Sequence, residues 1–135
     1  AAANGNGRPR QGPYRILVTD DDPGMREALQ ITLESEGYIV LLAGNGQEAL
    51  QLLMKEHPDL MLLDLMMPGL NGWELIDILS QKPELRSTKI LMLTGATLSQ
   101  EEIHKLKTHT GGLFRKDELR LNNILAGVAQ AIGQG

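Results

Sequence analysis

Short apolar runs alternate along this chain with longer segments in which apolar residues recur every three or four positions. The short runs have the length of buried strands, and the longer segments have the periodicity of helices. Strands are predicted at 15–19, 38–43, 59–63, 89–93 and 113–115. A helix is predicted after each strand, and the last runs from about residue 118 to 132. This alternation predicts an α/β fold: an open, doubly wound, five-stranded parallel sheet in the order 2-1-3-4-5.

Local signals at the helix starts support this arrangement. Asp22 followed by Pro23 is a good N-cap with proline at the first helical position. Two further helices start with the spacing of a capping box, Asn45 with Glu48 and Ser99 with Glu102. Residues 1–13 consist mainly of small residues, glycine and proline, without an apolar anchor. We therefore expect a flexible tail or linker there and a folded domain over residues 14–135.

The composition narrows the class of protein. The chain has 135 residues, enough for one domain with a buried core, and no stretch reaches the roughly 18 apolar residues of a membrane span. A net charge of −4 without a basic stripe argues against direct binding to nucleic acid. The absence of cysteine excludes disulfides and thiolate metal sites. Because no signal peptide is visible either, we expect a cytoplasmic location.

Acidic and hydroxyl side chains follow three of the predicted strands. Asp20 and Asp21 come directly after the first strand, Asp64 after the third and Thr94 after the fourth. In an open parallel sheet the ligand site lies beyond the carboxyl ends of the strands, and here the first and third strands flank the switch point. We therefore expect Asp20, Asp21 and Asp64 to share one crevice.

Carboxylates that share a crevice repel one another, and a hard divalent cation relieves this repulsion by accepting oxygen ligands. Mg²⁺ suits an open site that supplies few carboxylates and keeps several waters. A carboxylate there can also act as a nucleophile and form an acyl phosphate, whose oxygens then need neutralising groups. Thr94 and Lys116 are candidates for that role. Asp22 is better explained as a helix cap.

Four motifs together resemble those of the receiver domain of response regulators in two-component signalling. Their order and spacing agree with that family over about residues 14–132. The motifs are Val18–Asp21 followed by Arg26, Leu62–Pro68 followed by Gly72, Leu91–Gly95, and Gly112–Lys116. The resemblance implies a flavodoxin-like fold and a place in a phosphorelay, with a histidine kinase or a histidine phosphotransfer protein as the partner.

The resemblance also implies the roles of the acidic residues. Asp64 would be the phosphoacceptor, which attacks the phosphohistidine of the partner. Asp21, Asp64 and the backbone carbonyl of Met66 would bind Mg²⁺ directly. Asp20 would belong to the same metal site and act mainly through a bound water.

Two further residues, Thr94 and Lys116, would bind the phosphoryl oxygens. Thr94 would also draw the following loop inward and so switch a surface formed by the fourth helix, the fifth strand and the fifth helix. That surface would bind an output domain or a second copy of the chain. Such a domain is not an enzyme in the turnover sense, although it catalyses its own phosphorylation and dephosphorylation.

The chain departs from the family pattern at three positions. Asp117 follows Lys116 where the family usually has proline, so we expect a trans peptide bond there. Leu113 stands where an aromatic switch residue is usual, and Phe114 is one place later, so we expect weak coupling to the threonine. Asn71 replaces an aspartate before the loop glycine, which is a mild change.

The resemblance also bears on the lifetime of the phosphoryl group. In receivers the side chains two positions after the acceptor and two after the threonine flank the path of the hydrolytic water. Here they are Met66 and Ala96, and neither can orient a water through a polar group. We therefore expect slow self-dephosphorylation.

Two other functions fit parts of the pattern. Asp20 and Asp22 satisfy the Asp-x-Asp motif of a haloacid-dehalogenase-like phosphatase, as nucleophile and acid/base. Thr94 and Lys116 would then be its second and third motifs, but Asp64 would have no role. A receiver-like interaction module that is never phosphorylated is the other alternative. We favour the receiver, and the glycine- and proline-rich leader favours the receiver of a hybrid sensor histidine kinase.

Overall fold

The computed structural model of the chain describes five stretches, residues 13–85, 87–95, 98–110, 112–115 and 121–133. Lys116, Asp117 and Ala96 lie outside the described residues, as do the side chains of Leu113 and Phe114 and all but the last residue of the predicted tail. Within the described stretches, no helix has both the length and the hydropathy needed to cross a membrane.

Five parallel strands form a single sheet in the order β2-β1-β3-β4-β5, which confirms the predicted topology. The strands are β1 Arg15–Thr19, β2 Ile39–Ala43, β3 Leu60–Asp64, β4 Lys89–Thr94 and β5 Gly112–Arg115. Every residue of β3 is buried, because this central strand has helices against both faces. The sheet therefore presents the carboxyl ends of β1 and β3 side by side.

Helices cover both faces of the sheet. They are α1 Pro23–Ser35, α2 Gly46–Glu56, α3 Gly72–Ser80, α4 Gln100–His109 and α5 Leu121–Ala131. Successive side chains of a strand point to opposite faces of the sheet, so alternate residues belong to two separate cores. One core joins α2, α3 and α4 to side chains such as Leu17 and Met61, and the other joins α1 and α5 to side chains such as Ile16 and Leu62.

The strand boundaries differ from the prediction by one residue in several places. β3 and β4 each extend one residue further, to include Asp64 and Thr94. The reason is continued pairing: Asp64 is in register with Leu93, and the Leu65 amide donates to the Leu93 carbonyl at 2.9 Å. β2 and β3 start one residue later than predicted and β5 one residue earlier, and an unpredicted 3₁₀ turn lies at Pro83–Leu85.

The helix starts follow the predicted caps with one correction. Asp22 caps α1, since its carboxylate accepts a hydrogen bond from the Gly24 amide at 2.9 Å. Ser99 and Glu102 form the predicted reciprocal capping box of α4. The predicted box at α2 is only half formed. Asn45 accepts from the Glu48 amide at 2.8 Å, but the Glu48 carboxylate accepts from the amide of Gly44, not of Asn45.

A capping box that sequence reasoning missed opens α3. The Asn71 side chain accepts from the Glu74 amide at 3.0 Å, and the Glu74 carboxylate accepts from the Asn71 amide at 3.1 Å. Asn71 is also the residue that replaces the aspartate common at this position. Since asparagine caps helices as well as aspartate does, this exchange preserves the start of α3.

Gly46, the first residue of α2, lies against the loop between β3 and α3. A Cβ atom at this position would lie 2.2 Å from the Leu70 carbonyl oxygen and 3.0 Å from the Leu70 Cβ. The obstacle is backbone, which cannot move aside as a flexible side chain can. The absence of a side chain at residue 46 therefore allows the β3–α3 loop to rest on the start of α2.

We expect Gly46→Ala to lower the free energy of unfolding by about 2 kcal/mol, because the added methyl group forces the β3–α3 loop away from α2. Urea denaturation monitored by circular dichroism measures this change. The matched control is Gly24→Ala in the first turn of α1, where a Cβ would lie 3.4 Å from its nearest neighbour. An equal effect of the two substitutions would contradict the role given to Gly46.

Tyr38 is half-buried, and burial, with smaller contributions from Glu36 and Tyr14, raises the pKa of its phenol above 10.0. Ionisation is then easier in the unfolded chain than in the folded one. We expect this tyrosine to cause a loss of stability that begins above about pH 10 and is absent below it. Unfolding free energies of the wild type and Tyr38→Phe between pH 8 and 11, measured in urea, check this. Parallel curves over the whole range would contradict it.

Candidate functional site

Three carboxylates converge at the carboxyl ends of β1 and β3. One oxygen from each of Asp20, Asp21 and Asp64 lies within 4.8 Å of the others. Asp20 and Asp64 are buried, whereas Asp21 is exposed. The predicted crevice is therefore present, with two acidic groups on its floor and one at its opening.

Asp20 is held at three of its atoms by the end of β2 and the start of α1. Its amide donates to the Ala43 carbonyl at the end of β2 at 3.1 Å. Its Oδ1 accepts a hydrogen bond from the Asp22 amide at 2.9 Å. Its backbone carbonyl accepts one from Nη1 of Arg26 at 2.6 Å. These bonds fix both the backbone and the carboxylate of Asp20 before any ligand arrives.

Asp64 is the last residue of β3 and is only 3% exposed. Its Oδ1 accepts a hydrogen bond from the Met66 amide at 3.2 Å, so residue 66 lies next to the carboxylate. The chain then returns closely: the Gly72 amide donates to the Leu65 carbonyl at 2.9 Å. A Cβ at Gly72 would lie 2.9 Å from the Asp64 carbonyl oxygen, so only glycine fits this turn.

The other predicted site residues differ in their position relative to this cluster and in their exposure. Thr94 is buried at the end of β4, one residue after the register partner of Asp64. The side chain of Met66 is 57% exposed. Asp22 is exposed and caps α1 outside the three-carboxylate group. Lys116 follows Arg115, the register partner of Thr94, but lies outside the described residues.

The donor set of this cluster fits a hard divalent cation. All three groups are carboxylates, which offer the oxygen ligands that Mg²⁺ and Ca²⁺ prefer. The exposed position of Asp21 leaves one side of the cluster open to water. Few protein ligands with an open side match the needs of Mg²⁺, which gives up its waters reluctantly. This acidic cluster could therefore bind a metal ion.

Sequence reasoning missed what Arg26 contacts. It places this residue only within the first acidic motif, but the structure shows its guanidinium on the Asp20 carbonyl and beside Gly44. Arg26 follows Asp20 by only six residues, so the sequence itself shows that the two residues are close along the chain. The sequence does not show that Gly44, which follows β2, lies against the guanidinium.

Known proteins resemble this chain in sequence. The sequence model of the response regulator receiver domain family matches residues 16–128 of the chain. The response regulator MprA of Mycolicibacterium vanbaalenii is 43% identical over 95 residues, which are 67% of this chain and 38% of MprA. The DNA-binding response regulator MtrA of Mycolicibacterium smegmatis is 43% identical over 83 residues, 62% of this chain and 35% of MtrA. The chain thus spans little more than a third of the length of these relatives.

Solved structures show the same likeness. The chemotaxis protein CheY4 of Vibrio cholerae superposes with a TM-score of 0.80 at 28% identity, over 89% of this chain and 99% of that one. The signal receiver domain of a signal transduction histidine kinase from Syntrophus aciditrophicus gives 0.79 at 27% identity, over 88% and 89%. With the flavodoxin-like sheet and the acidic cluster at its switch point, these matches show that the chain belongs to the response regulator receiver domain family of two-component signalling.

Proposed function

We propose that this domain accepts a phosphoryl group on Asp64 from the phosphohistidine of a histidine kinase or a histidine phosphotransfer protein. The observation that carries the proposal is the convergence of Asp20, Asp21 and Asp64 within 4.8 Å at the switch point of a receiver sheet. Of the three, Asp64 is the one at the end of the central, fully buried strand. Its backbone is therefore held within the buried sheet.

Mg²⁺ is the cation proposed for the cluster. Asp21, Asp64 and the backbone carbonyl of Met66 would hold it directly, and Asp20 would hold it through a bound water. The hydrogen bond from the Met66 amide to Asp64 supports this set, because it keeps residue 66 beside the carboxylate. When bound, the ion would neutralise charge on the carboxylates and on the incoming phosphoryl group.

In the transfer itself, a carboxylate oxygen of Asp64 forms a bond to phosphorus. The phosphorus–nitrogen bond of the phosphohistidine breaks, and its electron pair stays on the imidazole that leaves. The residues around Asp64 contribute by position and charge. Asp64 is buried at the end of β3, and the Met66 amide donates a hydrogen bond to its carboxylate. Both features hold the nucleophile in place, so little reorganisation is needed.

Thr94 and Lys116 are proposed to bind the phosphoryl oxygens. The position of Thr94 at the end of β4, beside the end of β3, supports its part. A hydroxyl drawn toward the phosphoryl group would pull the loop that follows β4 and bias the surface of α4, β5 and α5 between two states. An output domain or a second copy of the chain is the proposed partner of that surface.

The structure disfavours the phosphatase alternative. That function needs Asp22 as an acid/base beside Asp20, but the Asp22 carboxylate is exposed and caps α1 through the Gly24 amide. Asp64, which would have no role in a phosphatase, is instead part of the cluster. The interaction module that is never phosphorylated has the same fold, so it is tested directly by the following experiment.

We expect incubation with acetyl phosphate and Mg²⁺ to add one phosphoryl group to the protein, as measured by intact mass. Omission of Mg²⁺ or the substitution Asp64→Asn should abolish the adduct, since each removes a component of the reaction. The matched control is Asp59→Asn. Asp59 directly precedes β3, and its side chain accepts a hydrogen bond from the Arg15 amide at 2.8 Å. This variant should be phosphorylated like the wild type.

Other outcomes of this experiment point to the alternatives. Absence of an adduct under every condition would contradict the proposal and support the interaction module. Turnover of the donor without an adduct, retained in Asp64→Asn but lost in Asp20→Asn, would indicate the phosphatase.

We expect Met66→Asn to shorten the lifetime of the phosphorylated domain several-fold, which corresponds to about 1 kcal/mol in the barrier. The side chain of Met66 is 57% exposed at the opening beside Asp64, and an amide there can hydrogen-bond to an attacking water, unlike a thioether. The loss of the adduct with time, measured by intact mass, gives the rate. Met54→Asn, with the parent side chain 49% exposed on α2, is the control. Equal rates for wild type and Met66→Asn would contradict the prediction.

A further inference from the structure

We infer that Arg26 is a positioning residue for the metal site, and that it acts by fixing the peptide that joins Asp20 to Asp21. The inference rests on the proposed binding of Mg²⁺ and concerns how this chain prepares the site. It also gives Gly44 a role, because the guanidinium of Arg26 lies beside Gly44 where it donates to the Asp20 carbonyl.

The contacts of Arg26 are few and specific. Its side chain is half-buried on α1, and Nη1 donates to the Asp20 carbonyl at 2.6 Å. Within the described part of the chain the guanidinium forms no ion pair. Arg26 thus binds a backbone oxygen of Asp20 and not a carboxylate oxygen.

The bond to the Asp20 carbonyl matters most for the next residue. The Asp20 amide and Oδ1 are held by Ala43 and Asp22, so the carbonyl is the third fixed point of this residue. The peptide plane between Asp20 and Asp21 takes its orientation from that carbonyl. Asp21 is exposed, and its carboxylate makes no hydrogen bond to the described residues. Arg26 therefore fixes the backbone from which the least constrained of the three carboxylates projects.

Gly44 supplies the space for this contact. A Cβ at residue 44 would lie 3.2 Å from Nη1 of Arg26 and 3.6 Å from its Cζ. Gly44 follows Ala43, whose carbonyl holds the Asp20 amide, and its own amide donates to Glu48 at 2.6 Å. The guanidinium therefore lies where the loops after β1 and β2 meet, against a residue whose backbone is itself held.

The charge of Arg26 acts against its hydrogen bond. A guanidinium near the cluster repels a divalent cation, whereas the bond to Asp20 prepares the ligands for it. Salt reduces the repulsion relative to the hydrogen bond, because about 1 M ionic strength weakens charge interactions, although less for a half-buried guanidinium than for an exposed one. A substitution at Gly44 separates the two effects, since it displaces the guanidinium and keeps the charge.

The test is the dissociation constant for Mg²⁺, measured by calorimetry on the unphosphorylated protein, with Mn²⁺ binding by electron paramagnetic resonance as a second probe. In about 1 M KCl, Arg26→Ala should weaken Mg²⁺ binding by roughly threefold to tenfold, as expected for one hydrogen bond. Gly44→Ala should weaken it by roughly threefold. In the double variant the two effects should not add, because both act through the same contact.

One further measurement and a control variant separate positioning from a general loss of stability. The rate of phosphorylation by acetyl phosphate should need more Mg²⁺ in both variants yet approach the wild-type value at saturating Mg²⁺. A fold that is merely weakened would lower the maximal rate as well. Gln30→Ala, one turn further along α1, is the control, since it removes only an exposed hydrogen bond to Glu34 at 3.3 Å. This control should leave the Mg²⁺ constant unchanged.

Unchanged Mg²⁺ constants in Gly44→Ala and, in high salt, in Arg26→Ala would overturn the inference. Additive effects in the double variant would overturn it too, because they would assign the two residues separate roles. Failure of the wild type itself to bind Mg²⁺ would be a different result. It would contradict the proposed function, and the inference would fall with it.

Discussion

The parallel pairing of β1 with β3 is the constraint on which the site depends. It places Thr19 opposite Leu63, so Asp20 and Asp64 emerge side by side from the same edge of the sheet. The cost is electrostatic, since two carboxylates are buried close together with a third at the opening. The apolar strands make this arrangement possible. The two cores on either side of the sheet hold β1 and β3 in register despite the repulsion between the carboxylates.

Much of this arrangement could be predicted from the sequence, because it follows from periodic signals. Apolar runs predict the strands and their order, and the acidic residues at the ends of those runs predict the crevice. The boundary at Asp64 was missed by one residue because strand length depends on the partner strand. The ladder continues as long as Leu93 offers a carbonyl, and nothing within the run itself indicates this.

Contacts between loops could not be predicted in the same way. The Glu48 carboxylate binds the Gly44 amide, Arg26 binds the Asp20 carbonyl, and Gly46 touches Leu70. The contact between Gly46 and Leu70 and the approach of Gly44 to Arg26 depend on how closely segments from different parts of the chain approach once the sheet has formed. Gly44 and Gly46 are ordinary turn residues in the sequence, and only the neighbouring backbone or guanidinium shows why a side chain does not fit there. Loops that the pattern describes as separate are therefore packed against one another around the acidic cluster.

The burial of Asp64 bears on what can reach it. The carboxylate is almost wholly covered, whereas Met66, two residues later, is largely exposed at the opening. Under the proposed function, a small phosphorylated donor can enter such an opening whole. A protein donor cannot, and must carry its phosphoryl group on a side chain that protrudes from a convex surface, such as an imidazole on the ridge of a helix. Under the proposed function, the burial of Asp64 thus selects protein donors by their shape before any specific contact between the two surfaces is made.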